Sequence, residues 1–152
     1  MREILFKAKT FKGKWVQGLL AHKDNKWYIS NKEGMPFAFE VRPETIGQYT
    51  GLKDKNGNKI WENDIIKKHF YTDYNYYANS EEYIGFVRNE DLAWVVKSQR
   101  GKYILTLPIF MAISESKDAE YFEVIGNIFD NPEALNCVDD EALQQALKLA
   151  TE

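Results

Sequence analysis

Cysteine is nearly absent: Cys137 stands alone in 152 residues, so no intrachain disulfide can form. For the same reason no zinc site built from several cysteines fits within one copy. A single cysteine fits a reducing compartment. Histidine is almost as scarce. His22 and His69 have no partner at metal-ligand spacing, so both read as surface or packing residues. No run of about 18 apolar residues occurs, which excludes a membrane-spanning helix. The start, Met1-Arg2-Glu3-Ile4-Leu5-Phe6-Lys7, lacks the apolar stretch of a signal peptide, so the expected location is cytoplasmic. Neither a Walker nor a dinucleotide-type glycine pattern is present, and there is no internal repeat or low-complexity tract.

What is present is ordinary for a folded chain: 44% hydrophobic and 28% charged residues. The length suits one domain able to bury roughly 68–70% of its unfolded surface. Aromatics reach 14%, with 9 Tyr, 9 Phe and 4 Trp, and such residues suit a pleated, half-buried surface. The net charge of −3 hides a division: 14 basic against 9 acidic residues up to Tyr76, and 6 against 14 from Tyr77 onward. That polarity can steer a partner or draw two copies together. The expectation is that the two halves fold against each other and largely neutralise.

Strand, turn and strand follow at intervals of about 8–12 residues, pointing to a meander, a sandwich or a small barrel. Ile4, Phe6 and Ala8 alternate as one face of a first strand. A turn at Lys12-Gly13-Lys14 leads to Trp15–Leu20, and Asp24-Asn25 turns the chain into Trp27-Tyr28-Ile29. Asn31–Gly34 precedes Pro36–Val41. Between Thr50 and Ile66, Asp54 is placed to start a turn through its carboxylate. Gly57 follows at the positive-φ position, and Asn63-Asp64 makes a second turn. His69–Tyr83 has neither helical stripe nor alternation and reads as a long loop or protruding hairpin. Ile84–Arg88 and Ala93–Lys97 read as strands around an Asn89-Glu90-Asp91 turn, followed by Tyr103–Leu107. Pro108–Lys117 is ambiguous. Tyr121–Phe129 reads as a strand with a bulge at Gly126. Asp130-Asn131-Pro132-Glu133 places a capping residue before a helical turn through Ala134 and Leu135. Asp139-Asp140-Glu141 opens a last helix whose apolar face is Leu143, Ala146, Leu147 and Ala150, and which at about 12 residues must dock or fray.

Three of these blocks carry a family resemblance. Met1-Arg2-Glu3-Ile4, the segment from Gly47-Gln48-Tyr49-Thr50-Gly51-Leu52-Lys53-Asp54 through Gly57 and Ile60 to Asp64-Ile65, and Tyr121–Glu133 resemble the YopX-like family of phage and prophage proteins. The resemblance implies a mainly β fold with an SH3-like roll as its core. Residues 1–135 would form that β domain, with 69–83 as a tyrosine-rich loop and 136–152 as a helical tail. It implies a bacterial host cell, and no catalytic residues come with it. The chain departs from the family pattern at Asn63, where glycine is common, and at Trp61, where tyrosine is usual.

No chemistry-bearing constellation emerges. Asp54-Lys55-Asn56-Gly57 lacks calcium-loop spacing, with glycine fourth rather than sixth and Ile65 at the twelfth position. Glu62 and Asp64 could pair, but Asp64 reads as a turn cap, and Asp139-Asp140-Glu141 reads as a helix start rather than a metal site. Cys137 has only acids after it and no basic neighbour to make it a thiolate. The expectation is therefore a non-enzymatic protein with no cofactor, no metal and no membrane. Two binding features remain. Tyr71, Tyr74, Tyr76, Tyr77 and Tyr83 hold 5 of the 9 tyrosines, the residue type that anchors protein interfaces. This favours a protein partner or self-association. The alternative is single-stranded nucleic acid, held by Lys7, Lys9, Lys12, Lys14, Lys23 and Lys26 with Trp15 and Trp27, in a stretch that also carries Phe11 and Tyr28.

Overall fold

In the computed structural model, residues 3–30, 38–70, 81–98, 104–106, 122–135 and 148 are described. They form two antiparallel sheets. The first contains β1 (Phe6–Lys9), β2 (Trp15–Lys23), β3 (Lys26–Ser30), β4 (Ala38–Val41), β5 (Gly47–Lys53) and β6 (Lys59–Trp61), in the order β4-β3-β2-β1-β5-β6. The second contains β7 (Asp64–Phe70), β8 (Glu81–Glu90), β9 (Ala93–Ser98), β10 (Ile104–Thr106) and β11 (Phe122–Asn127), in the order β10-β9-β8-β7-β11. Single 3₁₀ turns lie at Pro43–Thr45 and Pro132–Ala134.

Local chemistry sets the turns. Asp24 and Asn25, at φ 51° and 59°, join β2 to β3 in a two-residue hairpin, where short polar side chains tolerate left-handed backbone. Asp54 does what its position suggests. Its carboxylate accepts from the N–H groups of Asn56 at 2.9 Å and Asn58 at 2.8 Å, while Gly57 takes φ 79°. It also accepts from the N–H of Val124 at 3.1 Å, tying this turn to β11 across 70 residues of sequence. Asn63 holds φ 72°, which explains why a position where glycine is common tolerates asparagine. Its N–H donates to the carbonyl of Val87 and its carbonyl accepts from Ile128, so this turn joins the sheets.

The core is divided. Ala8, Ile29 and Val41 pack on the inner face of β1–β4, while Leu5, Tyr49 and Trp61 pack where β1 meets β5 and β6. One face of the second sheet places Ile66, Val87 and Val96 against Ile60 of β6; the other packs Ile65 and Phe86 on Ile128 and Leu135. Each such side chain is worth about 1.5–3 kcal/mol when fully buried, so covering the second sheet on both faces stabilises it strongly.

Several expectations are corrected. Ile4 is 58% exposed, and Leu5 is buried in its place. The strand starts only at Phe6, so the alternation does not extend back to Ile4. The turn after β8 is Asp91-Leu92, because β8 stays paired through Glu90. Of the stretch 69–83, expected as a long loop or protruding hairpin, the ends are paired strand, with Phe70 of β7 opposite Glu81 of β8, and 71–80 lie outside the described residues. Gly126 marks a register shift, as expected of a bulge. The 3₁₀ turn after Pro132 has no side-chain cap hydrogen bond; Asn131 Oδ1 instead accepts from the N–H of Asn127 at 3.4 Å. The mainly β fold expected from the sequence is present as two antiparallel sheets, and neither closes into a barrel among the described residues. A single bridge, Thr10 to Val41, brings β4 back beside β1. The expected turn at 31–34, the ambiguous stretch 108–117 and the final helix, apart from Lys148, lie outside the described residues.

Candidate functional site

Alternation along β1 sends Phe6 and Ala8 towards the inner cluster of the first sheet and Lys7 and Lys9 to the opposite side. There the two lysines meet acids carried by the second half of the fold. Lys7 Nζ donates to Asp64 Oδ1 at 2.7 Å and lies 5.2 Å and 5.5 Å from the ring centres of Trp15 and Trp61. Lys9 pairs with Asp130. Trp15 Nε1 also donates to Asp130, at 2.7 Å, and Asn127 Nδ2 does so at 3.0 Å. Phe129 stands beside Trp15, with ring centres 6.1 Å apart. The result is a polar seam along the junction of the two sheets.

Its acids sit in different environments. Asp64 is only 3% exposed, and burial pushes its carboxyl above the ordinary range, partly offset by Lys7 and by the Trp61 N–H it accepts at 2.9 Å. For Asp130 burial acts in the same direction, but the donors Lys9, Asn127 and Trp15 outweigh it and hold the carboxyl below its usual value. Asp54 is likewise held low, since its donors Val124, Asn58 and Asn56 outweigh burial. Burial raises Glu62, opposed by the charge of Arg88. The pairs Lys9–Asp130 and Lys55–Glu123 cross between the basic and acidic halves, so part of the charge division is neutralised within the molecule.

The candidate nucleic-acid residues are thus dispersed. Lys7, Lys9 and Trp15 are engaged in the seam. Lys12 and Lys14 are exposed on the β1–β2 turn, while Lys23 and Lys26 flank the β2–β3 turn at the other end of β2. At about 3.3 Å per residue these groups stand up to about 30 Å apart along the strand. Lys26 lies 3.7 Å from Glu40, and Trp27 stacks against His22 with ring centres 4.4 Å apart. Of the tyrosines, Tyr83 lies on β8 opposite Lys68, while Tyr71, Tyr74, Tyr76 and Tyr77 lie outside the described residues.

Sequence reasoning missed two features. Asp64 and Asp130 read as local turn residues, and nothing near them announces lysine partners 57 and 121 positions away. Leu92 was missed as well. It is fully exposed at φ 65° in the β8–β9 turn, a position that favours glycine. Among the described residues there is no group of three or more His, Cys, Asp or Glu side chains placed to hold a metal ion. No helix among them is long and apolar enough to cross a membrane.

Comparison with known proteins gives a family and a fold. Nothing among curated proteins matches the chain. The crystal structure of protein EF1440 from Enterococcus faecalis is similar, with a TM-score of 0.51 and 22% identity over 89% of this chain and 99% of that one. At that identity the likeness concerns the fold alone. The family model described as YopX protein matches residues 7–136, spanning both sheets and the seam between them. The chain belongs to the YopX protein family.

Proposed function

We propose that this is an accessory protein of a phage or prophage that acts inside the bacterial host cell by binding another protein, without chemistry of its own. The observation that carries the reading is Leu92. A leucine in left-handed backbone costs roughly 1–2 kcal/mol relative to an unstrained residue, and this one makes no compensating burial. A partner that covers it would supply that burial. The tyrosine-bearing segment 71–80 adjoins the Glu81 end of β8, about 30 Å along the strand from the Leu92 turn, so it would make a separate contact. Tyr71, Tyr74, Tyr76 and Tyr77 add residue types suited to an interface. Membership in the YopX family supports the phage setting. The Thr10–Val41 bridge supports reading β1–β4 as an SH3-like roll.

Nucleic-acid binding is the second reading, favoured by the exposed Lys12 and Lys14 and weakened by the engagement of Lys7, Lys9 and Trp15. Affinity capture from a bacterial host lysate, run with and without nuclease, separates the two. A discrete protein retained equally in both runs is the expected result. Retention that vanishes with nuclease, or a salt-steep titration of a single-stranded oligonucleotide, contradicts it.

A further inference from the structure

A depression of about 300 Å³ opens on the first sheet, lined by Lys14, Val16, Gln17, Ile29 and Phe39. Its apolar part comes from three strands: Val16 of β2, Ile29 of β3 and Phe39 of β4. Phe39 is 45% exposed, so this apolar surface is incompletely covered. The volume is at the small end for ligand sites, enough for one large side chain rather than an extended cofactor. Lys14 forms no ion pair among the described residues, nor does Lys12 two positions earlier in the same turn.

Backbone geometry adds a second feature. β4 ends the order of its sheet, and among the described residues its outer side is met only at Val41, by Thr10. The remaining length of that edge, beside Phe39, can pair with an incoming extended chain. An open depression with one apolar side, the unpaired Lys14 in its lining with Lys12 on the same turn, and a strand edge alongside together specify one kind of occupant. We infer that the depression is a docking site for an extended acidic peptide segment of a partner protein. One bulky apolar side chain of the segment seats between Val16 and the half-exposed Phe39, over the buried Ile29, and its flanking carboxylates face Lys14 and Lys12. The inference rests on the protein-binding reading but uses a surface separate from Leu92.

The test is fluorescence anisotropy of the full chain with a fluorescein-labelled seven-residue peptide whose central Val-Phe-Val is flanked on each side by Asp-Glu. Control peptides carry Lys-Lys flanks or a Ser-Ser-Ser centre. Saturable binding of the acidic apolar peptide alone is expected. Lys14→Glu should weaken it about fivefold, the scale of one exposed charge contact. Phe39→Ser should weaken it about tenfold through lost apolar contact. Circular dichroism should show that both variants remain folded, and Leu92→Gly should bind the peptide as the parent does. No saturation with any peptide overturns the inference, as does equal binding of the lysine-flanked peptide or indifference to both substitutions. Tighter binding of a labelled oligo-dT that falls with Lys14→Glu assigns the depression to nucleic acid instead. A protein captured from lysate through Leu92 while the peptide fails to bind leaves the protein-binding reading standing and removes this one.

Discussion

The seam can be tested at Lys7 and Asp64, where the consequences of cutting each side differ with pH. At pH 7, Asp64→Ala removes a nearly buried carboxylate, leaves the Trp61 N–H without its acceptor and strands Lys7. Lys7 retains 18% exposure and two indole faces, so it can turn to solvent. The orphaned N–H at about 1–3 kcal/mol and the lost charge pair put the total near 3 kcal/mol. Lys7→Met leaves instead a buried carboxylate with one remaining donor, a cost of similar size at pH 7. The two penalties then diverge. Burial already raises the Asp64 carboxyl and Lys7 pulls it down, so without Lys7 it rises further. A carboxyl raised in the folded state takes up its proton more readily there than in the unfolded chain. Lowering the pH towards the ordinary value of 3.8 therefore relieves Lys7→Met and leaves Asp64→Ala unrelieved. Asp64→Ala combined with Lys7→Met should cost less than the two single changes summed, because the Lys7–Asp64 pair is lost only once and neither charge is left stranded. Urea unfolding followed by tryptophan fluorescence at pH 7 and pH 5 measures all four proteins. A Lys7→Met penalty equal at both pH values, with additive energies in the double variant, refutes the reasoning.

Two further outcomes follow from the other acids. Asp54→Ala should destabilise by about 2–4 kcal/mol in the same urea assay, since it strands the N–H groups of Asn56, Asn58 and Val124 at once. Asp130 is held below 3.8, so its contribution is full above that value and disappears as pH falls through the lower folded value. Asp130→Asn should accordingly cost stability at pH 6, and the cost should shrink progressively as the pH is lowered below 3.8, read from unfolding midpoints across that range.

What the sequence made legible was local. Asp54 and Gly57, Asp24 and Asn25, and Asn63 and Asp64 each direct the chain through their own or adjacent backbone, so residue type within four positions was enough. The bulge at Gly126 was legible for the same reason. The seam was not, because Lys7 and Lys9 look like free surface cations until the topology brings Asp64 and Asp130 to them. Ile4 and Leu5 exchanged roles because alternation says which residues share a face but not where a strand begins. Leu92 escaped notice because a leucine carries no turn signal: hydrogen bonding of the flanking strands, which pair through Glu90 and Ala93, forces it into left-handed backbone.

The exposed Leu92 weakens the isolated fold, and Leu92→Gly tests this in one protein preparation. Thermal melting and nuclease-treated lysate capture are read side by side. Relief of left-handed strain, less the entropy cost of glycine, should stabilise the fold by about 1 kcal/mol while the captured partner is lost. A variant that melts lower than the parent, or that retains the same partner in the same amount, contradicts the account.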